Sequence, residues 1–190
     1  YTCVGIKLLG DWGTQFGQLI LAYKKWGSEN AHKTYTVTDL NNLYVRFHQE
    51  AEKNPGLEDE ARAWFKKLES GDFEAKDLWQ HFKDISLKEF QKIYDMLGIH
   101  FDAFVGESFY NTMVEDTITR IKEKGLAKVS EQALIIDLEP YNMPPCLLRK
   151  KDDTTLYATR DIAAAEYRKK TYDFDKMIYV VGSEQKLHFN

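Results

Sequence analysis

Between residues 37 and 98 apolar side chains recur at helical spacing, while short apolar, β-branched runs fall only on either side of that segment. This arrangement excludes an all-β chain and a simple helical bundle, and it predicts a helical block set between pieces of sheet. Leu40, Leu43, Tyr44 and Phe47 make one stripe, which Asn54-Pro55-Gly56 interrupts. Leu57, Ala61, Trp64, Phe65 and Leu68 make a second, closed by Gly71. Asp72 is placed to cap a third region through Leu78, Phe82 and Ile85. Ser86, with Glu89 three residues on, reads as the capping box of another helix carrying Phe90, Ile93, Tyr94 and Leu97. The charges in EAEK, EDEAR and LKEFQK are the solvated faces that amphipathic helices need.

The flanks alternate strand and helix. Residues 2–9 read as a buried strand ended by Gly10-Asp11, followed by a helix carrying Phe16, Leu19, Ile20, Tyr23 and Trp26 and stopping at Gly27. Residues 28–36 read as a loop. Beyond the helical block come a short strand at 99–104, a helix over Met113–Lys124 ended by Gly125, and strand-like runs at 133–138 and 145–150. A turn at Asp152-Asp153, a helix over 160–170, a buried-type strand at 176–182 and the first turn of another helix complete the order. Alternation at both ends predicts a parallel sheet with the middle inserted into it.

The 190 residues suit one domain, or one domain with an insertion. A hydrophobic fraction of 43% excludes global disorder, and no apolar run is long enough for a membrane-spanning helix. The start at Tyr1-Thr2-Cys3-Val4 carries neither an initiator Met nor a signal region, and is expected to be a cut edge. Cys3 and Cys146 are expected to be free, buried thiols in a reducing cytosol. A formal charge of −4 argues against a general nucleic-acid coat, although it averages over faces. Arg149, Lys150 and Lys151 form a dense basic cluster that suits either a phosphate contact or a solvated turn.

The histidines His32, His48, His81, His100 and His188 stand alone, without His-x-x-x-His or Cys/His ligand spacing, so no protein-bound metal is expected. No phosphate-loop or nucleophile-elbow motif occurs, and no catalytic residue is assigned within the chain. Gly10, Asp11, Trp12 and Gly13, between strand and helix, suit a ligand loop or a structural turn with Trp12 wedged into the core. In YATRDIAAA, Thr159 as a cap would put Asp161 in the first turn, four residues from Tyr157. A Tyr hydroxyl beside a carboxylate cradles a guanidinium or ammonium group; alternatively, Asp161 satisfies helix N–H groups and Tyr157 packs. Gln185 is either a polar specificity group or a helix-start residue.

Five collinear blocks, LGDWGTQFGQLI (9–20), FHQEAEKNPGLEDEARAWFKKLESGD (47–72), LGIHFDAFVGESFYN (97–111), LYATRDIAAAEYR (156–168) and YVVGSEQKLHF (179–189), resemble the arginyl-tRNA synthetases, a class I aminoacyl-tRNA synthetase family. The resemblance implies an α/β fold, a partial Rossmann-like parallel sheet interrupted by a mostly helical connective insertion with a small β region. It assigns 1–35 and 151–190 to the catalytic, nucleotide-binding fold and 36–150 to the insertion. It implies a parent enzyme that activates L-arginine with ATP and Mg2+ to arginyl-adenylate and transfers it to tRNA(Arg), a cytoplasmic monomer without a membrane partner. The family's arginine-pocket residues fall on Tyr157, Asp161 and Gln185. The family's His-x-Gly-His signature and Lys-Met-Ser-Lys-Ser-like loop are absent from this chain, so the implied state is a fragment inactive alone. The alternative is a non-catalytic arginine- or RNA-binding module of the same fold.

Overall fold

In the computed structural model, which describes residues 2–27, 34–151 and 154–189, the helical stripes become three helices: α2 (Val37–Lys53), α3 (Gly56–Ser70) and α4 (Phe73–Leu97). Most of the expected loop at 28–36 and the expected turn at Asp152-Asp153 lie outside the described residues. Each helix boundary has a local cause. Thr36 and Asp39 form a reciprocal capping box at the start of α2. The Asn54 carboxamide oxygen accepts from the Gly56 backbone at 3.2 Å, turning the chain into α3. Asp72 then caps α4, accepting from the Ala75 N–H at 3.0 Å.

The cap expected at Ser86 does not form. α4 runs unbroken through it, and the Ser86 hydroxyl donates to the Phe82 carbonyl one turn back at 2.9 Å. A serine can spend its side chain this way inside a helix, so the capping-box spacing alone did not decide the boundary.

The chain divides into two units, Tyr1–Gly106 and Glu107–Asn190. In the first, α1 (Thr14–Ala22) lies against the helical block and leaves by a π-turn over Tyr23–Gly27. Gly17 sets that packing: a Cβ there would sit 2.2 Å from the Ala61 carbonyl oxygen of α3. Ile20, Leu40, Phe65, Leu68, Ala75 and Phe82 form one core cluster, and Leu21, Ala22, Leu43, Phe47, Leu57 and Ala61 another. Strands β1 (Ile6–Leu9) and β2 (Ala103–Gly106) pair in parallel, in register from Ile6↔Ala103 to Leu9↔Gly106. The second strand therefore starts later than the expected 99. Its entry is fixed by Asp102, which accepts from the Gly5 N–H and donates its own N–H to the Gly5 carbonyl.

The second unit opens with a 3-10 turn over Glu107–Met113 and α5 (Val114–Glu123), then an antiparallel meander of β3 (Ala127–Ser130), β4 (Ala133–Ile136) and β5 (Cys146–Arg149). Helix α6 (Tyr157–Tyr172) packs on α5 and β5, and a 3-10 turn over Ser183–Gln185 leads into α7 (Lys186–Phe189). Its core includes Tyr110, Ile118, Leu148, Ala163 and Ala164.

Residues 176–182, expected to be a buried strand, join no ladder among the described residues, and Val180 is 94% exposed. Their apolar composition is that of a strand covered on both faces, but among the described residues of their unit no strand pairs with them. Cys3 is exposed rather than buried, while Cys146 is half-buried and its thiol is pushed up by that burial. Among the described residues no helix is long and apolar enough to cross a membrane.

Candidate functional site

Three contacts fix α6 within its unit. The register between β4 and β5 slips at Leu134/Ile135, leaving Leu148 without a ladder partner. The buried Thr159 hydroxyl donates to the Leu148 carbonyl at 2.7 Å. Arg160 Nε donates to the Asn111 carboxamide oxygen at 2.9 Å. Glu166 accepts from the Thr117 hydroxyl at 2.9 Å and from the Arg120 guanidinium, whose hydrogen bond holds the Glu166 carboxyl below its usual range.

Thr159 is thus not the helix cap: α6 begins at Tyr157 with Leu156 before it, and Asp161 lies in the second turn. That moves the carboxylate away from the first-turn N–H groups. It also puts Tyr157 and Asp161 four residues apart on one helical face.

Both residues meet His188, one of the histidines expected to stand alone. Its Nε2 lies 2.5 Å from Asp161 Oδ2, and its ring centroid is 4.9 Å from that of Tyr157. Phe189 stacks edge-on against His188, and Tyr179 lies against Phe189. The Asp161 side chain is 23% exposed, and Tyr157 faces solvent for about half its surface. Gln185 is exposed in the 3-10 turn that ends where α7 begins, one turn ahead of His188.

Further along α6, Arg168 is buried at 7% exposure, its guanidinium 5.9 Å from the ring centroids of both Tyr110 and Tyr179. Burial pushes both tyrosine hydroxyls above their usual range, an effect that Arg168 opposes. Sequence reasoning passed over His188, Tyr179 and Arg168. The available signals were the three-residue spacing from Gln185 to His188 and the seven-residue spacing from Asp161 to Arg168, both helical neighbours. The face carries a reachable carboxylate, a hydroxyl and aromatic walls, an acceptor set suited to a planar cation.

The other sequence candidates sit differently. Asp11 is 3% exposed; Lys83 Nζ lies 3.1 Å from its Oδ2, and its backbone carbonyl accepts from the Trp79 indole at 2.7 Å. Trp12 packs edge-on against Phe65 and Trp79. Gly10 is exposed and Gly13 precedes α1, so the loop offers backbone to solvent while its carboxylate points inward. Arg149 pairs with Glu115, whereas Lys150 and Lys151 are exposed. Among the described residues no group of three or more His, Cys, Asp or Glu could hold a metal ion.

The small parallel pair and the mostly helical, mixed α/β make-up are those of a class I aminoacyl-tRNA synthetase catalytic domain. The sequence profile of that class, described as tRNA synthetases class I (R), catalytic domain, matches residues 1–190, and the chain belongs to this family. An arginine–tRNA ligase of Halothermothrix orenii is 57% identical over 190 residues, covering 100% of this chain and 34% of the relative. One from Clostridium botulinum (strain Loch Maree / Type A3) is 58% identical over 189 residues, again 100% and 34%. The crystal structure of the arginyl-tRNA synthetase from Plasmodium falciparum superposes with a TM-score of 0.82 at 28% identity, covering 98% of this chain and 31% of that one. The chain therefore spans about a third of the length of the curated relatives it matches.

Proposed function

We propose that this chain is the central part of an arginine–tRNA ligase and supplies one wall of its arginine pocket. The parent enzyme, on this reading, activates L-arginine with ATP and Mg2+ to arginyl-adenylate and transfers it to tRNA(Arg) as a cytoplasmic monomer. The observation that carries the reading is the match of the class I (R) catalytic-domain profile to all 190 residues. The segments 1–35 and 151–190 then belong to the catalytic fold, with 36–150 inserted between them.

Within this chain the residues bind and orient. Asp161 takes the substrate guanidinium as its charge partner, a planar fork that a carboxylate matches in two parallel hydrogen bonds. Tyr157, on the same face, stacks on or hydrogen-bonds to that group, and Gln185 adds a polar contact from the following turn. Lysine, a point charge on a flexible stem, would leave part of this donor–acceptor set unpaired, and that is the source of discrimination. Adenylate formation needs no protein nucleophile; it needs the arginine carboxylate held in line with the α-phosphate and the phosphate charge stabilised. ATP and its Mg2+ would supply the reacting phosphoryl group, and no group of this chain is assigned to holding them. Gly10 to Gly13 offer backbone N–H groups as a ligand loop, and Arg149, Lys150 and Lys151 offer a phosphate contact for the tRNA.

The test is arginine-dependent ATP–pyrophosphate exchange. The full-length enzyme should exchange with arginine and not with lysine, and the 190-residue chain alone should not exchange. Exchange by the isolated chain would overturn the assignment of a pocket wall without a reaction centre.

A further inference from the structure

The carboxylate that the proposed arginine pocket depends on is already engaged. Asp161 Oδ2 is 2.5 Å from His188 Nε2, and the pair is only partly open to water, with side-chain exposures of 23% and 14%. A guanidinium binds a carboxylate best through both oxygens at once. His188 holds one of them. Its ring is kept there by Tyr157 on one side and Phe189 on the other, with ring centroids 4.9 and 4.7 Å away.

We propose that His188 is a resident stand-in for the substrate guanidinium: it occupies Asp161 when the pocket is empty and must give up that carboxylate oxygen when arginine enters. This rests on the reading of Asp161 as the guanidinium partner. His188 is thereby a specificity-determining residue, because an entering side chain must outcompete an ionic contact already made. A bidentate guanidinium can do so and a lone ammonium, which gains only a point-charge contact, does so poorly.

The incoming guanidinium takes the Asp161 oxygen and so displaces the imidazole. The charged and titratable groups facing it are Asp161 and Tyr157 from α6, Tyr179 against Phe189, and Arg168 beside Tyr179. Glu184, Gln185 and Lys186 on its own turn are exposed. Once arginine takes the Asp161 oxygen, the imidazole is left against its aromatic neighbours Tyr157 and Phe189.

The experiment follows the His188 ring protons of the 190-residue chain by NMR at fixed pH, with and without L-arginine, in the wild type and Asp161→Asn, and measures arginine binding by these two chains and by His188→Asn. Saturating arginine should move the wild-type His188 ring signals to the positions they hold in the Asp161→Asn chain, and His188→Asn should bind arginine more tightly than the wild type. Binding of arginine only by His188→Asn, and not by the wild type, supports the same exchange. If arginine binds and perturbs Tyr157 while the His188 ring signals stay put, the stand-in role is overturned and the pocket assignment survives. If neither chain binds, but the full-length His188→Asn enzyme has an unchanged arginine KM at every pH, the stand-in role also fails. An unchanged arginine KM for full-length Asp161→Asn would separately remove the pocket reading beneath it.

Discussion

Asp11 and Asp161, each near a helix start, lead opposite lives. Asp11, in the glycine-rich turn before α1, is buried, with Lys83 on its carboxylate and the Trp79 indole on its carbonyl. Gly106 lies so close that a Cβ there would fall 1.9 Å from Asp11 Oδ2. Asp161 on α6 is partly open, and its contact is with the His188 ring. The difference teaches that a carboxylate beside glycines at a strand–helix junction is not, for that reason, a ligand group. If Asp161 is the guanidinium partner, as proposed, what distinguishes it from Asp11 is that its partner can leave.

The largest expected effect lies on the buried side of that comparison. Asp11→Ala strands the Lys83 ammonium in a largely enclosed site and should cost about 4 kcal/mol in denaturant unfolding of the chain. The arginine affinity of molecules that remain folded should not change. A mild loss of stability with lost arginine binding would reverse the roles assigned to the two aspartates.

Next is Gly17→Ala, which drives a methyl into the Ala61 carbonyl where α1 and α3 meet. Because backbone rather than a flexible side chain opposes it, about 3 kcal/mol of destabilisation is expected from the shift in unfolding midpoint. A near-neutral result would mean that the α1–α3 approach is looser than described.

A smaller effect sharpens how α6 is held. The folded Glu166 carboxyl sits below its usual range, chiefly through the Arg120 hydrogen bond. Its contribution to stability is therefore present above the unfolded glutamate value near about 4.3 and disappears as pH falls through the lower folded value. Glu166→Gln should be slightly less stable than wild type at pH 7, with the gap closing below about pH 4. A gap that persists or widens in acid would exclude this ion pair as its source. The smallest effect is chemical: Cys3 should alkylate well before Cys146, whose thiolate is disfavoured by burial. Equal rates by mass spectrometry would contradict that ordering.

The elements that could be read from the sequence were those whose signals are local. The stripe of Leu40, Leu43 and Phe47, the Asn54-Pro55-Gly56 break and the Asp72 cap each depend on neighbours within a few residues, and each appears as expected. What was not legible depends on partners far along the chain. Strand β3 was missed because its hairpin turn uses Glu131 and Gln132, both at positive φ, in place of the Asn-Gly or Asp-Gly that announces such a turn. The run at 176–182 has strand composition and no strand partner among the described residues, which composition alone cannot foresee. The convergence of Tyr157 with Asp161 could be seen in their four-residue spacing, but the 27-residue link from Asp161 to His188 could not.

The central claim is that Asp161 is the substrate's charge partner and Asp11 is not. It is tested most directly by the arginine KM of the full-length enzyme in ATP–pyrophosphate exchange, for the wild type and Asp161→Asn. Removing the charge partner of a largely desolvated guanidinium should raise that KM by about a hundredfold or more, with the KM for ATP little changed. An Asp161→Asn enzyme with near-normal arginine dependence would contradict the account.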